Sequence, residues 1–196
     1  MPFQRDHLRL STASRIGIVL LFFVTIFQQN YVVSVGAFIS IILSLLPGIV
    51  GKNSKAHLPW SLDFLVSFAL LLNTMGNALN FYHDPSWWWW DELTHALGSF
   101  AVGMIAFHLV FTLNFLGKVT MSVPMMGFFL FLSAMGIGGL WEIFEYYSDF
   151  FLGTHMQISL PETMRDLQFD VLGAFAISGI AMRYFFVKRQ EGVGDL

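Results

Sequence analysis

Asp91, His95, Glu142, Glu145, Asp166 and Asp170 are ionisable residues set inside, or at the edge of, strongly apolar stretches. They form three motifs: Asp91-x-x-x-His95, Glu142-x-x-Glu145 and Asp166-x-x-x-Asp170. Residues three or four apart lie on one face of a helix, so each motif aims two polar groups the same way. Burying a single ionisable group in a bilayer costs about 2.5–3.5 kcal/mol on insertion scales. A chain that carries six of them is expected to use them together. Fully ionised, the five carboxylates would place five negative charges in one region, and protons or a divalent metal must offset most of that. Carboxylate oxygens suit Mg²⁺, Mn²⁺ and Ca²⁺, and the imidazole admits Zn²⁺ or Mn²⁺. The expected cofactor is therefore a divalent metal ion held by all six residues.

Other residues are placed to assist. His95 or Glu142 could act as general base, and Arg165 could bind a substrate phosphate or pair with one of the acids. Asp149 continues the Glu142/Glu145 stripe. Asn73, Asn77 and Asn80 form a quieter stripe on the preceding apolar segment, suited to joining helices or to supporting the acids. Arg15 is expected to snorkel from an apolar run, and Asp63 to cap a helix. Glu92 is expected to point away from the motifs, toward a lipid headgroup.

These groups must be held by membrane-spanning helices. The chain has 196 residues, 56% hydrophobic and only 12% charged, against about 25% charged in soluble domains. It has no cysteine, which excludes disulfides and thiolate metal sites. No basic, aromatic-interleaved patch suggests nucleic acid. No small-residue cleavage site follows the first apolar run, which is expected to serve as the insertion signal.

With about 20 apolar residues needed per crossing, the pattern predicts an all-α polytopic bundle, one transmembrane domain over residues 1–196. Six spans are expected: 12–28, 31–50, 60–82, 86–116, 122–147 and 162–187. A polar turn, Gln28-Gln29-Asn30, divides the first two. Asp84-Pro85 reads as the start of the fourth helix, which would put Asp91 about 10 Å below that start. Trp87–Trp90 read as an interfacial aromatic belt. Ser159-Leu160-Pro161-Glu162 reads as a capping box opening the sixth helix. With both termini cytoplasmic, Arg5, Arg9, Arg15, Lys52, Lys55, Lys118, Arg183, Lys188 and Arg189 fall inside and only Arg165 outside, a strong positive-inside bias. The three acidic motifs then converge in the extracytoplasmic half of a bacterial inner-membrane protein.

The stretches Asp91-Glu-Leu-Thr-His95, Trp141-Glu-Ile-Phe-Glu145 and Arg165-Asp-Leu-Gln-Phe-Asp170-Val-Leu-Gly173 resemble the YjdF-type family of bacterial inner-membrane proteins. More remotely, they are similar to VanZ-like proteins, which carry an Asp…His helix, an acidic helix and a late Asp before a Gly. The resemblance covers about residues 60–187. Glu92 stands where VanZ-like proteins commonly have Lys, and Glu145 where they commonly have Gln, so a glycopeptide-resistance function does not carry over. The YjdF-type resemblance implies a small multispanning protein and no particular reaction.

Three functions compete. A metal-dependent hydrolase or transferase could act on a lipid or lipid-linked phosphate entering from the membrane. A cation- or proton-coupled transporter could use the acids as a relay. An accessory protein could use the cluster as a structural fastener. The His7, His57, His108 and His155 side chains lack acidic partners at helical spacing, and solvated or packing roles suit them.

Overall fold

The structure is a computed structural model and describes residues 3–53 and 60–190. Six α-helices account for most of it: α1 (Phe3–Phe27), α2 (Tyr31–Asn53), α3 (Trp60–Ala78), α4 (Trp90–Phe115), α5 (Val123–Leu152) and α6 (Leu160–Gln190). A short 3₁₀ turn (Pro85–Trp87) lies between α3 and α4, and no strand occurs among the described residues. Lys55 and His57 lie outside the described residues, as do the side chains of Arg5, His7, Arg9, Lys52, Lys188 and Arg189.

Five helices hold segments long and apolar enough to cross a membrane: Leu10–Phe27, Tyr31–Ile49, Trp90–Asn114, Val123–Leu152 and Leu160–Val187. The expected crossing over 60–82 is not among them. Its helix, α3, stops at Ala78 after 19 residues and carries Asp63, Asn73 and Asn77. The expected Asn73/Asn77/Asn80 stripe breaks for the same reason. Asn80 sits beyond the helix end with a left-handed φ of 62°, while Asn77 Nδ2 donates to Asn73 Oδ1 at 3.1 Å on α3 itself.

The start of α4 also differs from expectation. Asp84 caps only the 3₁₀ turn, its side chain accepting from the Ser86 amide at 2.9 Å. The continuous helix begins at Trp90, so Asp91 lies in its first turn rather than two turns in. The four tryptophans divide accordingly. Trp88 and Trp89 are exposed, whereas Trp90 is buried and meets Phe81 edge-on with ring centroids 4.9 Å apart.

The chain forms two compact units, Met1–Thr94 and His95–Leu196, with the boundary inside α4. In the first unit α1, α2 and α3 contact one another pairwise. The Gln28–Asn30 turn separates α1 from α2, with Gln29 in the left-handed region at φ 60°. Small polar residues fill the contacts: Ser14, Ser67 and Thr74 are buried. Each returns its hydroxyl proton to a carbonyl one turn back, on Leu10, Asp63 and Leu70 respectively. Such side chains let backbones approach closely where lipid supplies no hydrophobic drive.

Arg15 does not snorkel. Its guanidinium donates to the Ser44 carbonyl from Nη2 at 2.7 Å and from Nε at 3.1 Å, and it pairs with Asp63. One side chain on α1 thus ties α2 to α3. Pro47 lies one turn further along α2. It lacks the amide proton that would close the helix there, which loosens the carbonyls of that turn. Removing the acid leaves the cation without its counter-charge in a largely enclosed place. Asp63→Leu is therefore expected to lower stability by roughly 2 kcal/mol, and Arg15→Met/Asp63→Leu to recover most of it. Thermal unfolding of the two variants in detergent checks this.

In the second unit α4, α5 and α6 share a core of Ala106, Val110, Met126, Leu130 and Ala181, with Phe107, Met121 and Phe185 against it. Glycine lets α4 and α6 approach closely. A Cβ on Gly173 would stand 2.2 Å from the Ala96 carbonyl oxygen, a distance no side chain tolerates against a backbone. Large apolar residues such as Phe128, Leu132, Leu140 and Phe144 remain on the outside of α5. That surface suits contact with lipid chains.

Candidate functional site

The second unit gathers His95, Ser99, Glu142, Asp166 and Asp170, all buried, with exposures of 8% or less. Helix register supplies most of the arrangement. His95 and Ser99 lie one turn apart on α4, Gly138 and Glu142 one turn apart on α5, and Asp166 and Asp170 one turn apart on α6. The buried face of α6 continues through Gly173, Ala174, Ile177 and Ala181, whose small and apolar side chains let the acids reach inward.

His95 stands between two carboxylates. Its Nδ1 is 3.3 Å from Asp170 Oδ1, and its Nε2 is 3.6 Å from Glu142 Oε1. Ser99 Oγ donates a short hydrogen bond to the same Asp170 Oδ1. The other Asp170 oxygen presses on α5 at Gly138, where a Cβ would come within 2.2 Å of Oδ2. Only glycine fits beneath that oxygen. A ligand atom of Asp166 and one of His95 lie within 4.8 Å of each other.

Glu142 is the electrostatic anomaly. It is 5% exposed, and both carboxylate oxygens are shut from solvent without a hydrogen-bond partner. The His95 ring at 3.6 Å and the Thr163 hydroxyl stand beside it and offset only part of the hydration it has lost. Two ligands about 2.1 Å from one cation lie roughly 3.0–3.4 Å apart, close to the 3.6 Å between His95 Nε2 and Glu142 Oε1. The donor set, one imidazole nitrogen and carboxylate oxygens, fits Zn²⁺ or Mn²⁺.

The other residues singled out by spacing have settings of their own. Asp91 opens α4 one turn before His95 and on the same face, half-buried. Glu145 does not continue inward with Glu142. Its Oε1 accepts from the Trp141 indole at 2.9 Å on the exposed flank of α5. Asp149 serves the loop after α5. Its oxygens accept from the Met156 amide at 2.8 Å, the Gln157 amide at 2.9 Å and the Thr154 hydroxyl. Arg165 is exposed on α6, away from the buried face that carries Asp166. Asn73, Asn77 and Asn80 belong to the first unit. The capping residues at α6 act as expected in one half: Ser159 Oγ accepts from the Glu162 amide at 3.4 Å, but Glu162 reaches the Ile158 amide instead of that of Ser159.

Glu92 reverses its expectation. At 3% exposed it is buried, not turned to a headgroup. It lies three residues before His95, a Glu-x-x-His spacing on one helix that is found in carboxylate-rich metal bundles. Ser99 carries no signal as a residue type. Its register could have found it, since it sits one turn from His95.

Comparison with known proteins agrees with the helical, apolar character of the chain. An uncharacterized protein of Thermotoga maritima is 29% identical over 182 residues, which is 92% of this chain and 91% of the relative. No solved structure matches. A family described as predicted membrane proteins matches residues 10–186, nearly the whole length, and the chain belongs to that family, DUF2238.

Proposed function

We propose that the second unit is a metal-dependent membrane enzyme, a hydrolase or transferase, acting on a lipid or lipid-linked phosphate. His95 and Glu142 would hold one divalent cation, with Asp166, a ligand atom of which lies within 4.8 Å of one of His95, as a third ligand. The observation that carries this reading is Glu142, whose two oxygens are buried without a hydrogen-bond partner. A bound cation would polarise a phosphoryl oxygen or lower the pKa of a water. The chain's own part is to fix the ligand oxygens, exclude bulk water and supply His95 or Glu142 to move a proton.

The membrane arrangement that suits this reading has α3 as a sixth, marginal crossing and both termini in the cytoplasm of a bacterial cell. Nine of the ten Lys and Arg residues then share one side, and the acids face the other. A lipid-linked substrate could arrive from the outer leaflet. The YjdF-type resemblance of the three acidic stretches accords with such a multispanning protein.

Elemental analysis of detergent-purified protein tests the proposal. Near-stoichiometric Zn or Mn is expected in the wild type, with a drop of at least tenfold in Glu142→Gln. Wild-type protein that stays metal-free after reconstitution with each ion would sink the enzyme reading. A second reading, proton-coupled transport, draws on Ser178 Oγ and His108 Nε2. Both are buried without a hydrogen-bond partner further along the same unit. Proton uptake by proteoliposomes that ceases in His108→Leu would favour it.

A further inference from the structure

We infer that Asp170 is a positioning residue rather than a metal ligand: supported by Ser99, it fixes the tautomer of His95. The inference deepens the metal reading above and rests on it for its consequence.

A serine hydroxyl has one proton to donate, and Ser99 gives it to Asp170 Oδ1. That oxygen also faces His95 Nδ1 at 3.3 Å. A carboxylate oxygen can only accept, so the contact calls for a proton on Nδ1. An imidazole that binds a metal must be neutral, so with its single N–H on Nδ1 the lone pair falls on Nε2. Nε2 looks at Glu142 Oε1 across 3.6 Å. A cation between them would meet a lone pair on each side. The order Asp170, His95, cation, Glu142 is the carboxylate–histidine–metal arrangement, in which the outer carboxylate orients the ring and raises its basicity.

Packing explains why Asp170 holds its place. Gly173 brings α6 against the backbone of α4 at Ala96, and that approach puts Asp170 within reach of Ser99 and His95. Gly138 receives the second oxygen from the α5 side. The acid is 1% exposed and bounded on two sides, with Oδ1 engaged twice. Asp166, on the same face one turn earlier, has a ligand atom within 4.8 Å of one of His95. In this division of the α6 aspartates, Asp166 binds and Asp170 orients.

Two measurements on the full-length protein in detergent test this. The first is the ¹⁵N spectrum of histidine-labelled, metal-free protein near neutral pH, with His95 assigned by its loss in His95→Gln. Nδ1 protonated and Nε2 bare is the expected result, and a proton on Nε2 alone would overturn the inference. In Ser99→Ala the preference is expected to weaken, and in Ser99→Thr to return. The second is Zn²⁺ and Mn²⁺ titration of the same variants. Ser99→Ala and Asp170→Asn are expected to weaken affinity about 10–100-fold, with Ser99→Thr within a few-fold of wild type. Wild-type binding that is unchanged in Ser99→Ala would overturn the positioning role. Wild type that binds neither ion yet keeps the Nδ1 proton would remove the metal reading and leave the tautomer assignment standing.

Discussion

Replacing Glu142 with methionine is expected to raise the thermal midpoint of the metal-free protein. Most core substitutions of a charged residue lower stability because they break a satisfied pair. Glu142 is in the opposite position. Its oxygens are buried without a hydrogen bond of ordinary geometry, beside the Thr163 hydroxyl and the His95 imidazole at 3.6 Å. Methionine has similar length, fills the volume and needs no partner. Removing a buried acceptor that has no hydrogen bond recovers its desolvation cost, about 1–3 kcal/mol. The same variant loses the metal affinity that the site is proposed to have, so stability and function should move in opposite directions. Thermal or SDS-induced unfolding of the apo proteins, side by side, decides the sign. A lower midpoint in Glu142→Met would mean that the carboxylate is already satisfied in the folded protein, and the case for a cation would lose its main support.

Gly173→Ala is expected to be the most damaging glycine substitution in the second unit. The added methyl would lie 2.2 Å from the Ala96 carbonyl oxygen and 3.0 Å from the Phe100 amide nitrogen. Both atoms are backbone, so no rotamer change relieves the clash and α4 and α6 must separate. Overpacking of this kind costs roughly 1–3 kcal/mol and can exceed that. It opposes the gain of about 1 kcal/mol that alanine normally has over glycine in a helix. Gly98→Ala on α4 is the control, because nothing lies within 4 Å of its added methyl. It should be neutral or slightly stabilising. Unfolding midpoints of the two variants check the contrast, and equal midpoints would mean that the close crossing is not maintained. Separation should also cost Ser99 its hold on Asp170, so Gly173→Ala is expected to weaken metal binding as well.

What the sequence made legible follows the physics of each signal. Helices and turns were readable where lipid imposes long apolar runs and where turn residues punctuate them. The Gln28–Asn30 turn and the start of α6 at Leu160 are examples. The end of α3 was not readable, because Phe81 and Tyr82 prolong an apolar pattern after the backbone has turned at Asn80. The start of α4 was misplaced because Asp84-Pro85 is an equally good opening for a single 3₁₀ turn. Helical spacing picked out His95, Glu142, Asp166 and Asp170, since a buried acid in an apolar segment needs a reason. Spacing could not tell Glu142, turned inward, from Glu145, held by the Trp141 indole, because three residues on a helix still span a wide arc. Nor could it show that Arg15 would find Asp63, 48 positions away along the chain.

The seat of Asp170 on Gly138 has an evolutionary side. Position 138 has no freedom of its own while the carboxylate oxygen rests on it, since any Cβ there would fall within 2.2 Å of that oxygen. A lineage that exchanges the aspartate for a smaller residue releases the glycine, and alanine can then enter with a gain in helix propensity. The reverse path is harder, because an acid returning above the methyl must turn its oxygen from the seat it had. The two changes are tolerated in one order only. A descendant that has taken both steps has lost, with a single methyl group, its simplest route back to the ancestral site.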